Sequence, residues 1–141
     1  MRSPNQDLSP ENRAIPEAES EERKVFDLEE RTALLGEAVV KFAHRFPRTP
    51  VFGPLVNQLV RSSTSIGANY MEACGAESGK DFDHKIAICR KESNETLHWL
   101  RMIVAANPEV KVECRRLWSE AHELALIFSA ILRKRRARLR P

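Results

Sequence analysis

No run of about 18 apolar residues interrupts this 141-residue chain, so no segment is suited to cross a bilayer as a helix. The first 24 residues lack the apolar stretch of a secretory signal, and a cytoplasmic protein is expected. Cysteine is scarce: Cys74, Cys89 and Cys114 are odd in number and fall at helical positions. That argues against a disulfide framework and for small buried or half-buried hydrophobes. Glycine is scarce too, with five residues, and valine, isoleucine and threonine form no alternating runs, which argues against a sheet protein.

The chemical absences are equally pointed. No glycine-rich phosphate loop is present. Glu95 and His98 have the Glu-x-x-His spacing of di-iron bundles, but such sites need that motif on two helices plus further carboxylates. No second copy occurs, and His44, His84 and His122 have no partner at ligand spacing. Neither a metal nor a cofactor is expected. Cys89 falls on a core stripe, where a thiol is inert. The serines between 62 and 65 have no histidine base nearby in sequence. The chain is not expected to be an enzyme.

What is present is helical. Hydrophobic residues make up 42% and charged residues 30% of the chain, enough for one compact domain with a core. Residues 1–24 contain three prolines, many acids and few large hydrophobes. Such a segment cannot bury enough surface to offset its ordering entropy, so a disordered tail is expected there, followed by one bundle domain over residues 25–141. Four helical patterns follow. The first spans about 28 to 46, with Leu28, Leu35, Val39, Phe42 and Phe46 on one stripe and Asp27 and Glu30 spaced as a capping box. Pro47 and Pro50 end it.

The second covers about 54 to 76, with Pro54 in its first turn, where a missing N–H costs nothing. Pro50 could serve one turn earlier. The third covers about 79 to 106, capped by Ser78, with Phe82, Ile86, Cys89, Ser93, Thr96, Leu100 and Ile103 in heptad rhythm. The fourth covers about 108 to 138, capped by Asn107. Val110, Cys114, Leu117, Ala121, Leu124, Phe128 and Ile131 form its stripe. Trp118, Ala125 and Leu132 form a second seam, available to a subunit interface. Four amphipathic helices with short connectors predict an all-α, up-down-up-down antiparallel four-helix bundle.

The second helix is unusual. Its apolar stripe of Leu55, Leu59 and Ile66 is crowded by Ser62, Ser63, Thr64, Ser65, Gly67 and Asn69. An ordinary surface helix places large apolar groups inward and charges outward. Small polar groups here imply close backbone approach and a buried hydrogen-bond network, or a site. Arg61, Ser65, Asn69 and Glu72 step by four, four and three onto one face, while Glu92, Glu95 and Trp99 share a face of the third helix. If those faces meet, these polar groups can satisfy one another and fix the register of the two helices.

Taken in order, residues 58–73 with their RSSTSIGANYMEA core, Ser78-Gly79-Lys80-Asp81-Phe82, and Lys91-Glu92-Ser93-Asn94-Glu95-Thr96 leading to Trp99-Leu100 form a distinctive pattern. Glu30-Arg31-Thr32, Phe42-Ala43 and Pro47 complete it. The pattern resembles the small four-helix-bundle proteins encoded in intervening sequences of bacterial large-subunit rRNA genes. The resemblance implies a ring-like homo-oligomer, a pentamer. It extends to accessory proteins of diversity-generating retroelements, which bind nucleic acid and a reverse transcriptase. The acidic N-terminal segment and Pro54 depart from the pattern.

Charge is polarised along the chain. Net charge is +3, yet residues 133–140 hold Arg133, Lys134, Arg135, Arg136, Arg138 and Arg140 and no acid. Six positive groups in eight residues attract phosphates and release counterions, or simply solvate a frayed helix end. No aromatic residue lies among them, so phosphate contacts rather than base contacts are expected. The leading expectation is a nucleic-acid-binding oligomer without a membrane association. A pure protein-interaction scaffold is the rival.

Overall fold

The computed structural model describes residues 27–140. The expected disordered tail lies outside them. The described chain forms helix α1 (Leu28–Ala43), α2 (Phe52–Cys74), α3 (Gly79–Ala106) and α4 (Lys111–Leu139), with one 3-10 turn at Pro108–Val110 leading into α4. Each helix packs on its chain neighbours, and α1 closes the bundle against α4. The pairings run in opposite senses. Thr96 of α3 meets Ser62 of α2, and nearer the other end Lys85 meets Glu72. Arg31 of α1 and Arg45 just past its end meet Glu120 and Glu113 of α4, again in antiparallel order. The topology is up-down-up-down, and no strand occurs among the described residues.

Local chemistry sets the helix ends. Ser78 has extended backbone and its hydroxyl accepts from the Asp81 N–H at 3.0 Å. Asn107 Oδ1 accepts from the Glu109 N–H at the start of the 3-10 turn. Both satisfy donors that a helix start leaves orphaned. Asp27 differs from expectation: its side chain makes no cap bond, and only its carbonyl accepts, from Arg31 N–H at 2.7 Å. α1 also stops at Ala43 rather than Phe46. Pro47 disfavours helical backbone at the residue before it. Phe46 instead stacks on Phe52, with centroids 5.3 Å apart. α2 starts two residues earlier than Pro54, because Thr49 Oγ1 accepts from the Phe52 N–H. Pro54 still lies in the first turn.

The predicted stripes converge on one core. Leu28, Leu35, Val39, Leu59, Ile66, Ile86, Leu100, Ile103, Leu124 and Phe128 are all buried within it. Cys89 and Cys114 are buried, whereas Cys74 is exposed. That corrects the expectation for Cys74, which closes α2 one step past the buried Ala73.

Glycine sets the spacing of α1 and α2. A Cβ on Gly67 would lie 3.3 Å from Thr32 Oγ1 and 3.5 Å from the Thr32 carbonyl carbon, whereas one on Gly36 would meet Thr64 at an ordinary 3.7 Å. Alanine in a helix interior is favoured over glycine by about 1 kcal/mol. Gly36→Ala should therefore gain about 0.5–1 kcal/mol in urea unfolding, while Gly67→Ala should gain nothing, because α1 must move to admit it. Equal gains at both positions would contradict this account of helix spacing.

Candidate nucleic-acid interface

The polar face of α2 resolves into a cross-helix part and a local part. Arg61 spans two carboxylates of α3: its Nη1 donates to Glu92 Oε2 at 3.1 Å and its Nη2 to Glu95. Glu92 is 8% exposed, and its burial, then the charge of Glu95, raises its pKa against the opposing pull of Arg61. The Arg61 hydrogen bond lowers that of Glu95. One cation thus serves a buried and a surface carboxylate. Deeper in the seam, Thr96 Oγ1 donates to Ser62 Oγ at 3.0 Å and Cys89 Sγ to the Ile66 carbonyl at 3.5 Å. Spacing did not single these contacts out.

Ser65 and Asn69, also members of the expected network, do not cross to α3. Asn69 Nδ2 donates to the Ser65 carbonyl and Ser65 Oγ to the Arg61 carbonyl, both within α2. Short polar side chains in a helix reach the preceding turn before they reach a neighbour. Glu72 does cross to α3, where it pairs with Lys85 Nζ at 2.6 Å rather than with Arg61 or the glutamates. The face that looked most like a site is occupied by its own interactions. Cys89 is equally closed to chemistry: burial pushes its thiol up to about 12.

The basic end of α4 is different. Arg133, Lys134, Arg136 and Arg138 are exposed on its last two turns, and Arg140 is exposed just past its end. Arg135 is not available in the same way. Its Nε donates to Asp83, its Nη2 to the Gly79 carbonyl, and its guanidinium lies 4.8 Å from the Phe82 ring centroid. This residue secures the start of α3, a role visible only once α3 and α4 are side by side. Five exposed cations remain, and a polyanion could lie along them.

The expected second seam is corrected in part. Ala125 and Leu132 are buried in the bundle itself, leaving Trp118 exposed and stacked on His122, with centroids 4.7 Å apart. Val112 and Leu126 are exposed on the adjoining face of α4. The seam therefore shifts outward along the helix. Among the described residues, no group of three or more His, Cys, Asp or Glu is placed to hold a metal, and no helix is long and apolar enough to cross a membrane.

The molecule is thus an all-α antiparallel bundle with a filled polar seam and a cationic end. More specifically, residues 26–130 match the model of the 23S rRNA-intervening sequence protein family, and the chain belongs to that family. A crystal structure of a protein with unknown function from the S23 ribosomal protein family of Bacteroides thetaiotaomicron VPI-5482 is similar, at 25% identity and a TM-score of 0.65. The match covers 75% of this chain and 95% of that one. Comparison with curated proteins gives no match. The family match ends before residue 133, so the cationic end lies beyond it.

Proposed function

We propose that this chain is a non-enzymatic, cytoplasmic, homo-oligomeric adaptor that binds RNA or DNA through phosphate contacts. The observation carrying this reading is the set of five exposed cations at the end of α4. Such groups attract nucleic acid without regard to sequence, and binding weakens as salt rises. Membership of a family named for an rRNA intervening sequence supports it. The exposed Trp118, Val112 and Leu126 of α4 support self-association, as large apolar side chains that the bundle leaves uncovered. A ring of five, as the family resemblance implies, would gather the basic ends into one dense surface. A reverse transcriptase is a candidate protein partner by the same analogy.

The test is a filter-binding salt titration on the native chain and on a variant with Arg133, Lys134, Arg136, Arg138 and Arg140 changed to glutamine. Arg135 is kept because it secures α3. Each lost phosphate contact should reduce the log–log salt slope by about 0.7 for single strands or 0.9 for duplex. At least about tenfold weaker binding at low salt is expected. Unchanged affinity, or no binding by the native chain, would overturn the reading. A monomer by light scattering would overturn its oligomeric part. The scaffold reading, favoured by the apolar face of α4, predicts a defined oligomer that captures a protein after nuclease treatment.

A further inference from the structure

Two oppositely charged segments flank the family match. Residues 17–22 hold Glu17, Glu19, Glu21 and Glu22 and no base, and residues 133–140 hold six bases and no acid. The fold brings their points of attachment to one end of the bundle. α1 and α4 are antiparallel, and Arg31 in the first turn of α1 clasps Glu120 at 2.9 Å and Glu123 at 3.5 Å. From there α4 runs on past the start of α1.

We propose that the acidic segment around residues 17–22 docks in its own chain on the basic end of α4, shielding it until a stronger polyanion displaces it. Three observations meet in this assignment. The first is register. Lys134 and Arg138 continue, by steps of three and four, the stripe of α4 that carries Glu120, Glu123, Ile127 and Ile131. Both cations therefore extend the side of α4 that α1 covers, beyond the point where α1 begins. The second is reach. Lys134 and Arg138 lie about 16 to 22 Å along α4 from Glu123, at 1.5 Å per residue. Glu22 and Glu17 precede Asp27 by five and ten residues, giving up to about 17 to 35 Å of chain. The acids can therefore lie alongside the cations.

The third is charge partnership. Among the described residues Arg135 already has Asp83, whereas no carboxylate is paired with Arg133, Lys134, Arg136 or Arg138. Arg23 and Lys24 sit between the glutamates and the acidic first turn of α1, where Glu29 and Glu30 lie. With these two bases counted, residues 17–24 still hold four acids against two bases, a net charge of −2. A tethered segment competes at high effective concentration, so four weak contacts suffice to shield the site.

The contact stands or falls independently of nucleic-acid binding; only the shielding rests on that reading. The test uses the full chain, mixed as isotopically heavy and light copies, with a zero-length carbodiimide at about 0.05 M and about 1 M salt, on either side of strong screening. The Lys85–Glu72 pair, at 2.6 Å, is a built-in positive control. Links from Lys134 to Glu17, Glu19, Glu21 or Glu22 within one copy, lost at high salt, are expected. The control link without a Lys134 link would overturn the proposal. So would Lys134 links found only between heavy and light copies, which would place a second copy there. In parallel, changing the four glutamates to glutamine should raise affinity for a single-stranded oligonucleotide several-fold. Unchanged affinity in a chain that binds would refute the shielding. A Lys134 link with no oligonucleotide binding by either chain would leave the docking in place and overturn the nucleic-acid reading.

Discussion

Phe128→Ala should lower the unfolding free energy by about 3–5 kcal/mol, the range for a buried aromatic cut to a methyl. Phe128 is wholly buried near the middle of α4 and is the largest of the fully buried side chains. Its ring lies 6.2 Å from that of Tyr70 on α2, so it bridges two helices that are not chain neighbours. Truncation removes apolar burial and leaves a void, because helices held by three other seams cannot collapse into it. For a domain of this size each kcal/mol is worth several degrees, so the thermal midpoint should fall by more than about 10 °C. A loss below about 1 kcal/mol in denaturant unfolding would mean that the core is not assembled around this ring.

Arg61→Ala should be the next most damaging change, and its cost should depend on pH. Removing the guanidinium leaves Glu92 buried beside Glu95 with no counter-charge. Stranding a buried charge is far costlier than losing a surface pair. Because Arg61 itself is 46% exposed, the expected loss is about 2 kcal/mol at neutral pH rather than the full value for a buried pair. The sign follows from the two carboxylates. The folded pKa of Glu92 lies above its ordinary value of 4.5. Its stabilising contribution is therefore complete below 4.5 and lost as pH rises through the folded value. That of Glu95 is lowered, mainly by Arg61, so its contribution is present above 4.5 and lost as pH falls through its folded value.

In the native chain the two opposing trends partly cancel. In Arg61→Ala the support for Glu95 disappears and Glu92 rises further, so the penalty should grow as pH rises from about 4.5 to 7. The variant and native curves should converge only once pH has fallen through the lowered folded pKa of Glu95, where both carboxyls are protonated. Glu92→Gln placed in the Arg61→Ala background should restore most of the loss at pH 7. Urea unfolding across pH measures all three chains. A pH-independent penalty, or no rescue by glutamine, would show that Arg61 acts through packing alone.

The helices themselves were legible because backbone propensity and periodicity are local properties. Ser78 and Asn107 bracket α3 at Gly79–Ala106, where the caps place it. The heptad from Phe82 to Ile103 is buried but for its first member. The end of α1 was less legible, since periodicity carried Phe46 onward while a proline and an aromatic partner across the turn drew it out of the helix. Sequence spacing also grouped Arg61, Ser65, Asn69 and Glu72 on one face. It could not tell which of them would find partners on α3, because a face is a property of one helix and a hydrogen bond depends on two.

The sequence by itself determined the class of fold, the family and the polarity of charge along the chain, because composition, period and capping act within a few residues of each other. Only the tertiary structure decided which polar groups are satisfied and which remain available. The length and branching of each side chain, set against the register of the opposing helix, made Arg61 a bridge, turned Asn69 back on its own helix and tied Arg135 to α3. The same packing left five cations exposed at the end of α4, beyond the start of α1. An antiparallel pair of helices brings Arg31 and Glu120 together across a sequence separation of 89, and charge patterning along the sequence carries no measure of that proximity.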